Sequence, residues 1–460
     1  SYKENPLEDG SLSGYSVYPI PITKSTLETL KELNLPLKTA SKCKNFFALG
    51  VVYWLYSKSP ELTLNWISEK FKKNPELIEA NTRVLKAGMY FGETTEIFNT
   101  RYEVKPAHLR KGTYRNLNGN EAVALGLVAA AKRAGLELFL GSYPITPASE
   151  ILHYLSGMRQ FGVKTFQAED EIAGVATAIG ASFAGQLGAT STSGPGMALK
   201  TEAIGLAVMA ELPLVIVNVQ RGGPSTGLPT KTEQADLLQA MFSRNGECPV
   251  AVVAAATPSD CFNMAVEAAR LAIKYMTPVI LLTDGYIGNG SEPWRVTTIE
   301  ELPEFKANFR TDPQDFHPYV RDEKLVRPWV KPGTPGMEHR IGGLEKQHIY
   351  GNISYDPDNH EFMVKTREQK IQNIANDIPE LEVIGDKEAE LLVMSWGSTF
   401  GAVASAVENQ AAKGNKVAFA HFKYINPMPK NTEAVIKSYK KILVPEVNMG
   451  QLSKILRMNY

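Results

Sequence analysis

Between residues 136 and 234, short apolar runs alternate with polar islands. Leu136–Leu140 leads into Gly141-Ser142-Tyr143-Pro144-Ile145-Thr146-Pro147, and Val163–Ala168 runs into Gln167-Ala168-Glu169-Asp170-Glu171. Gly188–Thr192 leads into Ser191-Thr192-Ser193-Gly194-Pro195-Gly196, and Leu214–Val219 into Gln220-Arg221-Gly222-Gly223-Pro224-Ser225-Thr226-Gly227. Each run is short enough for a buried strand, and small-residue stretches of helical length follow, so the pattern predicts strand, polar loop, helix, four times over. Val250–Ala255, Ser259–Met276 and Pro278–Leu282 extend it as strand, helix, strand. The fold class is therefore α/β, with a doubly wound sheet of about six strands. In such a sheet ligands bind where strands hand over to helices, and that is where all four islands fall.

On either side the pattern changes. Ser1–Pro6 reads as a loop, Asn45–Tyr56 as a buried helix, and Leu62–Lys72 and Pro75–Lys86 as amphipathic helices. The polar, basic stretch Glu96–Arg115 reads as a linker, and Asn120–Arg133 as a helix with Asn120 as its N-cap. Glu292–Ile384 holds many prolines and four of the seven histidines, yet keeps Trp, Tyr and Phe, so it reads as a long ordered connection. A smaller α/β unit follows: strand Glu390–Ser395, a Gly397-Ser398-Thr399 loop, a helix through Ala412, then strands Lys416–His421 and Ile442–Pro445. Its end at Tyr460 reads as cut short.

Charge and cysteine content narrow the chemistry. Lys plus Arg and Asp plus Glu both number 49, which argues against whole-surface attraction to nucleic acid or anionic lipid. No apolar run is long enough to span a membrane. Cys43, Cys248 and Cys261 stand apart and cannot by themselves complete a four-thiolate cluster or zinc site. Their scarcity fits a reducing cytoplasm, and no metal site is expected on this chain.

Taken together, Tyr143-Pro144-Ile145-Thr146-Pro147, Gln167-Ala168-Glu169-Asp170-Glu171, Ser193-Gly194-Pro195-Gly196 and Gln220-Arg221-Gly222-Gly223-Pro224-Ser225 resemble the α subunit of 2-oxoacid:ferredoxin oxidoreductases. The resemblance is greatest to the 2-oxoglutarate type, which carries a γ domain fused ahead of the α part. It implies a partial γ-like domain over 1–112, a pyrimidine-binding domain over 113–295, an ordered connection over 296–385, and a domain similar to the transketolase C-terminal domain over 386–460. It further implies oxidative decarboxylation of 2-oxoglutarate to succinyl-CoA on thiamin diphosphate, with coenzyme A as co-substrate and ferredoxin as electron acceptor. The cofactor would be shared with a β subunit that holds Mg²⁺ and a [4Fe–4S] cluster, in an α₂β₂ assembly. A related enzyme acting on pyruvate or a branched-chain 2-oxoacid, and a non-catalytic assembly subunit of this fold, are the alternatives.

The resemblance assigns roles residue by residue. Tyr143, Pro144, Ile145, Glu171, Ser193 and Gly194 would contact the cofactor; Thr146, Arg221, Ser225, Thr226 and Lys231 would contact substrate; Glu171, Thr146 and Arg221 would be catalytic. Physical arguments stand beside these assignments. A carboxyl at Glu171 against an apolar helix face would gain proton affinity and could share a proton with the pyrimidine N1′; a helix-start carboxylate favoured by the dipole is the plain alternative. Arg221, after a buried strand and before a Gly-Gly-Pro turn, could grip a carboxylate with two parallel hydrogen bonds, or form an ordinary ion pair. Thr146, between two prolines, could bond substrate or merely stabilise its turn. Ser193–Gly196 would let backbone approach a ligand. Lys231 and Arg244 are candidate partners for a distal substrate carboxylate, or solvated surface charges.

Overall fold

The computed structural model describes residues 4–95, 97, 98 and 100–460. The first three residues of the expected opening loop, and Glu96 and Asn99 of the expected linker, lie outside them. The chain divides into two compact units, Ser1–Lys111 and Gly112–Tyr460.

The first unit is helical. Pro75–Thr94 runs well past the expected Lys86; Asn74 caps it by accepting from Leu77 N, with Pro75 at the first helical position. It packs on Lys44–Leu55. That helix is not buried all round as its composition suggested. Only the face formed by Phe47, Gly50 and Val51 is covered, while Val52 is 46% exposed, because the contact runs along one stripe.

The second unit is built on a seven-stranded sheet in the order Tyr424–Asn426, Ala251–Ala254, Pro278–Asp284, Leu214–Gln220, Leu187–Thr192, Leu138–Ser142, Val163–Gln167. Six strands are parallel. The seventh, Tyr424–Asn426, comes from far along the chain and pairs antiparallel with Ala251–Ala254; local periodicity could not place it. Along the fully buried strand Leu214–Gln220 the side chains alternate between two cores. Val215, Val217 and Val219 join the core containing Ala124, Leu127, Phe262 and Ala265, whereas Leu214 and Ile216 join the one containing Val175, Ile204 and Ala207. The latter core continues into Trp396, Phe422 and Leu452.

The chain steps from Leu138–Ser142 outward to Val163–Gln167, then reverses across it to Leu187–Thr192 and Leu214–Gln220. This reversal makes the carboxyl ends of these strands the crevice of a doubly wound sheet. The helix Gly119–Ala134 beneath it is capped by Asn118, which accepts from Glu121 N, and not by Asn120. Asn120 is 1% exposed and donates instead to Pro147 O at 3.1 Å, bracing the first island from below.

Residues 296–385 are held largely by buried charge. Glu211, 1% exposed in a left-handed conformation just after helix Thr201–Ala210, accepts two hydrogen bonds from Arg321 (2.5 and 2.8 Å) and one from Lys370 (2.5 Å). Arg327 donates to Ala210 O, on the same turn. A second sheet of four strands follows, in the order Lys441–Leu443, Leu391–Trp396, Val417–Phe422, Val383–Gly385. Its core pairs Val393 and Phe419 with Val403 and Val407 of helix Phe400–Ala412.

Candidate active site

The fourth island folds back on itself. Leu228 N donates to Gly222 O (2.8 Å), Gly222 N to Lys231 O (2.9 Å), and Gly227 takes a φ of +48° that brings its Cα face against Gly222. Inside the loop lies Arg221, 7% exposed. One terminal nitrogen donates to Thr146 O (2.6 Å) and the other to Thr226 O (2.9 Å). The guanidinium thus ties the first island to the fourth through main-chain carbonyls, and among the described residues no acidic side chain takes it in a direct ion pair. Each terminal nitrogen keeps a second N–H, and Nε is buried with no hydrogen-bond partner. Thr146 and Thr226 meet Arg221 through their carbonyls; their side chains are exposed to solvent, as are Tyr143, Ser225 and Lys231, while Pro144 and Ile145 are half-buried.

Glu171 is the first residue of helix Glu171–Phe183, and Asp170 caps it by accepting from Ala173 N at 2.7 Å. The dipole reading of Glu171 is therefore met by geometry, but so is burial: Glu171 is 8% exposed. The apolar face expected beside it is divided. Val175 and Ile179 enter the core, while Ile172 is 49% exposed.

Against Glu171 lies the third island. Helix Gly194–Leu199 starts inside the third island, with Pro195 fitting its first turn and Ser193 at its N-cap position. A Cβ on Gly196 would sit 2.1 Å from Thr192 Oγ1 and 2.7 Å from Glu171 Cγ. The absent side chain at Gly196 thus makes room for protein groups, Thr192 first and Glu171 next. A Cβ on Gly194 would stand 3.0 Å from an Asp236 carboxylate oxygen.

Asp236 was not singled out in the sequence. It accepts from Asn218 Nδ2 (3.0 Å), and its own N–H donates to Gln220 Oε1 (3.1 Å), so it is fixed over the end of strand Leu214–Gln220. Burial raises its carboxyl above the usual range, against the hydrogen bond from Asn218. It lines a cleft of about 460 Å³ with Gly194, Pro195, Arg221, Gly223, Ser225 and Gln239. Of the residues lining this cleft, Arg221 and Gln239 keep Nε and Oε1 buried without hydrogen-bond partners; Ser193 Oγ, next to Gly194 in the chain, and Asn218 Oδ1, on the side chain that donates to Asp236, are unpartnered as well, and such unspent donors and acceptors suit a polar ligand.

The segment that runs through Glu233, Ala235 and Asp236 of the cleft lining is clamped by residues of the C-terminal part. Gln234, 0% exposed, donates to Trp396 O (3.0 Å) and accepts from Val447 N (3.3 Å), while Gln234 N donates to Val447 O (3.0 Å). Asn448 Nδ2 reaches Gln234 O, and Gln451 Nε2 reaches Ala235 O. Arg244 is remote from this chemistry. It is 9% exposed and donates to the carbonyls of Ala240, Met241 and Cys248, closing the end of helix Leu237–Phe242. It is not a solvated charge, since each of its three guanidinium nitrogens donates to a main-chain carbonyl. Lys231 does not line the cleft. Among the described residues no group of His, Cys, Asp and Glu is arranged to hold a metal ion, and no helix is long and apolar enough to cross a membrane.

Comparison with known proteins bears on the same residues. Residues 129–354 match the family described as pyruvate flavodoxin/ferredoxin oxidoreductase, thiamine diphosphate-binding. The whole chain is 53% identical to the 2-oxoglutarate oxidoreductase subunit KorA of Mycobacterium tuberculosis, covering 70% of that protein. It is 31% identical over 93% of its length to subunit alpha of 2-oxoacid:ferredoxin oxidoreductase 1 of Aeropyrum pernix, covering 68% of it. The structure of 2-oxoglutarate:ferredoxin oxidoreductase from Magnetococcus marinus, with 2-oxoglutarate, coenzyme A and succinyl-CoA bound, superposes with a TM-score of 0.86 at 35% identity, covering 96% of this chain and 75% of that one.

Proposed function

The chain belongs to the family of 2-oxoacid:ferredoxin oxidoreductase α subunits, and from that premise we propose that it oxidatively decarboxylates 2-oxoglutarate, as one subunit of a thiamin diphosphate-dependent enzyme. The products are succinyl-CoA and CO₂, and two electrons leave for ferredoxin. The observation that carries this reading is the buried guanidinium of Arg221, held between two strand-end loops at the rim of a cleft whose polar atoms await partners.

The residues fit the cofactor's aminopyrimidine half: an enclosed carboxyl at Glu171, and unpartnered Ser193 Oγ and Asn218 Oδ1 beside the cleft. When bound, thiamin diphosphate supplies the nucleophilic carbon and the electron sink for loss of CO₂. Glu171 shares a proton with the pyrimidine nitrogen from a position where little water competes. Arg221 donates its remaining N–H groups to the C1 carboxylate, and Thr146 adds its exposed hydroxyl. Tyr143, Pro144, Ile145 and Gly194 shape the pocket around the cofactor, while Ser225 and Thr226 face substrate. Lys231, exposed on the same loop but outside the lining of the cleft, stays this chain's candidate charge for the distal carboxylate, with groups on the β subunit as the alternative. The β subunit holds the diphosphate, Mg²⁺ and a [4Fe–4S] cluster, in a cytoplasmic α₂β₂ assembly with coenzyme A as acyl acceptor. The domain plan is that of the fused-γ type, with a γ-like part before residue 113, a connection over 296–385 and a transketolase-like part from 386.

The test is co-expression with the β subunit, native mass measurement, and a viologen-reduction assay over a panel of 2-oxoacids. A heterotetramer that requires thiamin diphosphate and coenzyme A and prefers 2-oxoglutarate is expected. Preference for pyruvate or a branched-chain acid overturns the substrate, and an active particle of this chain alone overturns the division of labour.

A further inference from the structure

Lys200 has no place in the roles above, yet it is among the largest fully buried side chains of the molecule, at 0% exposure. It stands at the joint between helices Gly194–Leu199 and Thr201–Ala210, where its N–H donates to Gly196 O at 3.1 Å. Its Nζ donates to the main-chain carbonyl of Glu171 at 2.9 Å. An ammonium group has three N–H donors and a high cost of leaving water. Here its one hydrogen-bonding partner among the described residues is the residue whose carboxyl the proposed reaction uses. Burial lowers its proton affinity to a pKa of about 8, while the negative charges of Glu171 and Asp170 work the other way.

Four residues before Lys200, on the same helical face, Gly196 leaves no room for a side chain beside Glu171, since a Cβ there would stand 2.7 Å from Glu171 Cγ. The turn from Gly196 to Lys200 thus bounds Glu171 at its side chain, by close packing at Gly196, and at its main chain, by a charged hydrogen bond from Lys200. We propose that Lys200 is a positioning residue for Glu171, fixing the first turn of helix Glu171–Phe183 so that its carboxyl meets the cofactor in one orientation, and balancing the negative charge gathered at that turn. A purely structural purpose explains the side chain poorly: a methionine would fill the same space without a desolvated charge.

This inference rests on the role proposed for Glu171, and the experiment separates the two. Lys200→Met, Glu171→Gln and the double variant are made in the complex with the β subunit, with assembly checked by native mass. Lys200→Met is expected to lower kcat about tenfold or more, the scale of one hydrogen bond from a charged donor, with KM changed less. In the Glu171→Gln background the same change should cost less than about twofold, because the group it positions is already disabled. The second readout needs no cofactor: denaturant midpoints of the four chains alone should also be non-additive, the loss of Lys200 being tolerated better once Glu171 is neutral. Equal effects of Lys200→Met in both backgrounds, in rate and in midpoint, overturn the proposal. Non-additive midpoints with a Glu171→Gln enzyme of wild-type rate keep the Lys200–Glu171 coupling and overturn the role of Glu171 instead.

Discussion

Arg221→Lys is the sharpest perturbation of the candidate site. It keeps the positive charge but replaces a planar fork by a single nitrogen. In the wild type two terminal nitrogens reach two carbonyls on different loops, Thr146 O at 2.6 Å and Thr226 O at 2.9 Å. A lysine ammonium has three N–H donors but gathers them on one nitrogen, so it cannot reproduce the two positions of the fork, and at least one of the two hydrogen bonds is weakened or lost. One lost hydrogen bond from a charged donor is worth about 1.5–3 kcal/mol, which corresponds to a fall of about 10- to 100-fold in kcat/KM if the loop geometry serves the transition state. Because Arg221 is 7% exposed, solvent offers little compensation. The assay is steady-state viologen reduction by the assembled complex, with 2-oxoglutarate varied. Both parameters should worsen: KM because the C1 carboxylate loses a donor, kcat because that carboxylate must stay held until CO₂ departs. Values within about twofold of wild type in both would refute the reasoning and make Arg221 a loop staple only.

Glu171→Gln should leave assembly intact and lower turnover by about two to four orders of magnitude, the range for lost acid–base catalysis; wild-type turnover would move the role elsewhere. Gly196→Ala should cost about 1–3 kcal/mol of stability by overpacking, since its Cβ would meet Thr192 Oγ1 and Glu171 Cγ, and thermal unfolding with parallel kinetics checks both consequences. Lys200 titrates at about 8 in the folded chain against an ordinary 10.5. The unfolded chain therefore binds more protons between those values, so wild-type stability should rise relative to Lys200→Met as pH climbs from about 8 to 10.5, and lie flat relative to it below. Lys231→Met should weaken 2-oxoglutarate more than pyruvate; an unchanged ratio would assign the distal carboxylate to other groups, those of the β subunit included.

The sequence by itself determined the four strand-to-helix handovers and put Thr146, Glu171, Ser193 and Arg221 at the ends of strands, because apolar periodicity, Gly-Pro turns and helix starts are local properties. It also supplied the motifs that mark the family. What those side chains face depends on packing between elements far apart in the chain. Arg221 turned out to be engaged by the carbonyls of Thr146 and Thr226, and Gly196 to yield its space to Glu171. Asn118 rather than Asn120 caps its helix, since Asn120 is drawn off to Pro147 O across the sheet edge. The strand Tyr424–Asn426, the Gln234 clamp and the enclosure of Arg244 depend on partners that sequence spacing does not reveal. Lys200 left one faint signal, a single cation amid the apolar and small residues from Gly194 to Ala210. Whether such a lysine reaches solvent or a buried carbonyl is settled by the packing of helices on the sheet, where the energy of a charge depends on neighbours distant in the chain.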